Sequence, residues 1–251
     1  MNIHSLKSGF KGFMLDLQLS ATGCCDYLSE WGFTLSQAAT KTRTKPRTAS
    51  RQERKTQLIK ATIRSIAKHG LSVTTMATVA KEAGLSQGII NLHFQSKERL
   101  LEETLRFVVD EYRASFYKAL ENSGETAAEK LTALVGVGFN KRVCQRNKLA
   151  VWFAFWGESR SRPTYRKICA ERDREYKQVL ITLCEEIIRE GGYKASADYV
   201  AFGLAAMCEG LWLDLLLIPA EVTPEQAREV SLSYLRGIFP GHFPDTENHR
   251  P

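Results

Sequence analysis

The stretch "GLSQGIINLHF", residues 84–94, decides how this chain is read. Gly84 stops one helix, Ser86 starts another and Phe94 closes it, so the new helix is barely two turns long. Gly88 falls within its first turn, where glycine costs about 1 kcal/mol against alanine. Such a glycine makes physical sense where something large must approach the backbone. Just upstream, "TTMATVAKEAG" offers Thr75 as an N-cap and Val79-Ala80 as a short apolar face. Further upstream, Ile59, Ile63 and Ile66 recur at helical spacing until Gly70. Helix, short helix, tight turn and short helix is the spacing of a helix-turn-helix.

The second helix of such a unit lies in the major groove with its leading residues at the base edges. That role requires a slim, polar leading end, which Ser86, Gln87 and Gly88 supply. Asn91 and His93 follow as donors and acceptors, and Ile89, Ile90 and Phe94 hold the helix to the core. A plain three-helix bundle with Gln87 and Asn91 merely solvated has the same pattern. Charge placement favours DNA. Residues 41–55 carry seven Lys or Arg (Arg47 and Arg51 among them) against Glu53 alone, which is +6 of the chain's +7.

The remaining sequence is helical throughout, with no strand-like alternation. Ser96 caps a long helix with Leu101, Leu105, Val108, Tyr112 and Phe116 on one stripe. Thr126 and Glu129 form a capping box, as do Thr223 and Gln226. Pro163 and Pro224 suit first helical positions, and Gly191-Gly192 ends the long charged helix between them. About nine helices are expected. The fold class is all-α: a helix-turn-helix three-helix bundle over 51–97, then a larger helical domain over 98–240 for ligand binding and dimerisation. Residues 1–50 read as a disordered basic extension and 241–251 as a flexible tail.

Six scattered cysteines form no C-x-x-C pair or zinc spacing, as expected of reduced thiols in a cytoplasmic protein without a metal or other cofactor. Nor do they form a nucleophile–base pair with the five histidines, so no enzyme is expected. Residues 199–219 approach the length of a membrane span, but Glu209 and Asp214 interrupt them. A buried core or dimer-interface helix fits better. With residues 224–237 it is the expected four-helix dimer interface, which an arginine at Leu215 or Leu216 is expected to break.

The run "GLSVTTMATVAKEAGLSQGIINLHFQSKERLLEETL" resembles the DNA-binding signature of the TetR family of bacterial repressors. Gly70, Thr75, Val79-Ala80, 83–86, Gly88, His93-Phe94, Lys97 and Leu100-Leu101 carry the likeness; Asn91 stands where the family often has Tyr. Within the family, "GIINLHFQSKERLLEETLR" is most similar to the BetI-like subgroup of choline-responsive repressors of betaine synthesis. The fifty-residue extension departs from the family pattern. The resemblance implies a homodimeric repressor bound to a palindromic operator of double-stranded DNA and released by a small-molecule effector. Thr75 and Lys97 would then touch phosphates, while Ser86, Gln87, Asn91 and His93 would lie at base edges. A regulator answering to an aromatic or heterocyclic molecule, or acting as an activator, is the alternative.

For the effector, Trp152, Phe155 and Trp156 share a helical face, and Glu209 pairs with Trp212 by i, i+3 spacing. Aromatic rings with a carboxylate suit a quaternary ammonium such as choline, although aromatic stripes also build ordinary cores. Glu209 in so apolar a segment needs a partner: a ligand cation, a buried arginine or a polar dimer contact.

Overall fold

A computed structural model of the chain describes residues 50–244. Among these residues there are nine α-helices and no strand: α1 (Arg51–His69), α2 (Met76–Glu82), α3 (Gln87–His93), α4 (Lys97–Glu121), α5 (Ala127–Gly138), α6 (Arg146–Glu158), α7 (Pro163–Gly191), α8 (Ala197–Leu217) and α9 (Pro224–Ile238). The expected caps at Thr75, Ser96, Thr126 and Thr223 all accept from the third helical amide. Pro163 and Pro224 open their helices, and Gly192 ends α7 in the left-handed conformation.

The amino-terminal head is built by α1, whose Leu58, Ile59, Ile63 and Ile66 are buried. Helix α1 packs against α2, α4 and α6, and α2 packs against α3. Between α2 and α3, Gly84 takes φ +65° just beyond the C-cap Ala83. The Gly84 amide donates to the Lys81 carbonyl and the Leu85 amide to that of Ala80, which is the Schellman closure of a helix end. Gln57 Nε2 donates to the Ala83 carbonyl at 2.9 Å and ties this turn to α1. Ile90 and Phe94 anchor α3 in the core, each burial being worth roughly 1.5–3 kcal/mol.

In the larger part, α7 packs against α4, α5, α6 and α8, while α9 packs against α5 and α8. Its centre holds Leu131, Leu134, Leu149, Phe155, Leu180, Leu204 and Leu235, all fully buried. Helix α8 is long and apolar enough to cross a membrane by length and composition. Its inner face is packed instead, with Leu204, Cys208, Trp212 and Leu215 buried. Tyr199 (81% exposed), Phe202 (60%) and Leu217 (66%) face outward, with Ala206, Gly210 and Leu213 continuing the stripe. The expectation that Leu215 sits at a dimer interface is therefore corrected, because Leu215 points into the core.

Candidate DNA-binding surface and effector site

Helix α3 presents Gln87, Gly88 and Asn91 outward, the first two at its leading turn. Leu92, 72% exposed, lies one turn on from Gly88. Sequence reasoning missed Leu92 because a leucine three residues after Ile89 reads as core. Ser86 begins the helix but makes no side-chain capping bond; the Ile89 amide donates to the Ser86 carbonyl at 3.1 Å instead. The cap expected from Ser86 is thus corrected, and its hydroxyl is exposed beside Gln87. At Gly88 an added Cβ would meet only Ser86 Oγ, at 3.8 Å. Nothing in the protein itself demands a glycine there.

His93 does not join this face. Half-buried, it lines a cleft with Arg51, Gln52 and Lys55 of α1. Burial first, then the positive charges of Arg51, Arg54 and Lys55, hold its imidazole below the ordinary value. Six residues after Gln87 is two turns less 120°, which swings the ring off the Gln87–Asn91 edge and toward α1. Thr75 is exposed at the start of α2, where its hydroxyl accepts from the Thr78 amide at 3.1 Å. Lys97 Nζ donates to the Ser72 carbonyl at 3.2 Å, so the first turn of α4 lies against the loop before α2. Arg51 is exposed at the start of α1; Arg47 and the rest of the basic run before it lie outside the described residues.

The rings of the second part converge on one buried cation. Arg172 of α7 is 5% exposed, and its guanidinium carbon lies 4.9 Å from the Trp152 ring centroid, 5.6 Å from Trp156 and 5.5 Å from Tyr112. Tyr112 stands edge-on to Trp152, Tyr176 and Trp212. Trp212 Nε1 donates to the Gly138 carbonyl at 2.8 Å, which fixes that ring behind Tyr112. Phe155 is the exception to the expected set: it packs on Tyr165 at 5.0 Å as a core residue. Glu209 Oε1 lies 3.6 Å from Arg172 Nη2, so a buried arginine is the partner that the sequence required. Burial raises the Glu209 carboxyl above its usual range, with Arg172 opposing the shift. Asp173 also pairs with Arg172.

Arg172, Tyr112 and Tyr176 were missed as site residues. Yet Tyr165, Ile168, Cys169, Arg172 and Tyr176 follow one another at helical spacing, so a charge at a core position of α7 was visible. Burial pushes the thiols of Cys144 and Cys184 up to about 12 and that of Cys208 to about 11, which leaves them protonated at neutral pH.

A short helix with an outward polar edge on a three-helix head, joined to a helical domain with a ring cluster, defines a helix-turn-helix DNA-binding regulator. Residues 58–104 match the model for bacterial regulatory proteins of the tetR family, and residues 127–240 match the C-terminal model of BetI-type transcriptional repressors. The chain is 32% identical over 190 residues to the HTH-type transcriptional regulator BetI of Burkholderia mallei, covering 76% of this chain and 95% of that one. The Stenotrophomonas maltophilia regulator of the same name is 30% identical over 182 residues, covering 72% and 91%. Among solved structures, a transcriptional regulator from Pseudomonas aeruginosa PAO1 aligns with TM-score 0.69 at 28% identity, over 77% of this chain and 94% of that one. A regulator from Saccharomonospora viridis, solved in complex with choline, aligns with TM-score 0.67 at 24% identity, over 74% and 96%. The chain belongs to the TetR family of transcriptional regulators, with a BetI-type C-terminal domain. These relatives are regulators, not enzymes.

Proposed function

We propose that this regulator is a cytoplasmic repressor, that it binds a palindromic operator as a homodimer, and that a small quaternary ammonium of choline-like chemistry releases it. The observation that carries the DNA reading is the outward edge of α3, where Gly88 opens the backbone and no neighbour within the protein explains it. Gln87 and Asn91 suit adenine edges, and Leu92 suits a thymine methyl. Ser86 reads beside them, while Thr75, Lys97 and Arg51 hold phosphates and set the register. The basic run 41–55 adds charge that a neighbouring minor groove attracts. Deleting residues 1–48 should therefore flatten the salt dependence of binding, and an unchanged slope would remove that contact.

Two copies place two such helices roughly 34–36 Å apart on one face of the duplex. The apolar outer stripe of α8 supports the dimer. The effector reading is supported by three ring faces around a cation with Glu209 at the edge and by the choline bound to the Saccharomonospora relative. Calorimetric titration with choline, betaine aldehyde and glycine betaine tests it. Heat saturating at or below millimolar choline is expected; no heat from any of them at millimolar concentration rejects this effector class.

A further inference from the structure

We propose that Arg172 is an internal competitor for the effector: its guanidinium occupies the ring box that a quaternary ammonium must enter, and binding displaces it. The inference rests on the cationic-effector reading above.

Three faces, from Tyr112, Trp152 and Trp156, lie 4.9 to 5.6 Å from the guanidinium carbon, within the range of cation–π attraction. The box is therefore full. Beside it, Tyr112 and Trp152 border a cavity of about 10 Å³, room for roughly one water. A ligand with several heavy atoms gains the rings only when Arg172 leaves.

The hold on Arg172 is incomplete. Its Nε is buried and hydrogen-bonds to nothing. Its contact with Glu209 is long, at 3.6 Å, and Glu209 is itself half-exposed. An N–H donor enclosed without an acceptor costs free energy. A quaternary ammonium has the same charge and no N–H group, so it meets the ring faces without that cost. The displaced guanidinium keeps an acid, because Glu209 is half-exposed and remains its partner toward water.

Apparent effector affinity is then the intrinsic affinity multiplied by the fraction of molecules in which Arg172 has left the box. The full-length protein and its Arg172→Gln and Arg172→Met variants are titrated calorimetrically with tetramethylammonium and choline. Both variants should bind about ten-fold more tightly or better, the scale of a desolvated cation–π contact. Binding to wild type with equal or weaker binding to folded variants overturns the competitor and leaves the effector class standing. No binding to any of the three proteins overturns both. Circular dichroism establishes that the variants fold. Should they not, the wild-type protein decides: the Arg172 Nε–H resonance, displaced by the rings, must move to the position of a solvated arginine as tetramethylammonium saturates. A resonance that stays in place while ligand binds contradicts the displacement.

Discussion

Gly88 shows how a single residue separates folding from recognition. A methyl group there meets only Ser86 Oγ at ordinary contact distance, and the backbone is helical. Gly88→Ala should therefore stabilise the protein by about 0.5–1 kcal/mol while weakening operator binding at least ten-fold. Chemical denaturation and fluorescence anisotropy on the same sample test the pair, and equal operator affinity would remove the close-approach argument. His93 carries the converse lesson. Its imidazole is held below its ordinary value of 6.5, so the folded head excludes a proton that the unfolded chain takes up. Stability should fall as the pH drops below about 6.5 toward the folded-state value. His93→Gln should flatten that fall, measured as denaturation midpoints at several pH values; an unaltered slope would assign it to another group. At this scale residue type alone was enough to expect Gln87 and Asn91 to face solvent, as they do. Direction was not legible: His93 turns toward α1, and Arg172 lies hidden among the solvated charges of α7.

Among the elements, the turn joining α2 and α3 sets where the reading helix points. Gly84 sits at φ +65°, and a methyl group added there would meet nothing within 4 Å, so its requirement is conformational rather than steric. Gly84→Ala should cost about 1–2 kcal/mol through left-handed strain alone. A loss much greater, seen in urea unfolding, would mean that the turn rearranges. Helix starts were legible because capping chemistry is local: Thr75, Ser96, Thr126 and Thr223 each find a donor three residues on. Ser86 broke that rule, since its helix closes its first turn through the backbone. The packing of α6 on α1 was not legible, because no local pattern encodes which distant helices meet. That contact places Trp152 and Trp156 on the helix that touches the DNA-binding head.

For the whole molecule, the outer face of α8 is the surface proposed for a second copy. Tyr199, Phe202, Leu213 and Leu217 are exposed there, and a stripe of this kind marks an interaction surface. Leu217→Arg or Leu213→Arg should give a folded monomer by sedimentation and lose operator binding. Leu215→Arg should unfold the protein instead, because it buries a charge in the core. A dimeric Leu217→Arg protein would move the interface elsewhere. The apolar run of α8 was visible in the sequence, but its inner and outer sides were not: the helix is apolar nearly all round, so hydrophobicity cannot tell core from interface. The claim on which everything else stands is that the exposed edge of α3 reads DNA. Quantitative footprinting on the DNA upstream of the protein's own gene, with wild type and a Gln87→Ala, Asn91→Ala variant, tests it most directly. A two-fold symmetric footprint with half-sites one helical turn apart is expected, lost in the variant while thermal unfolding is unchanged. An equally strong and equally placed footprint from the variant would contradict it.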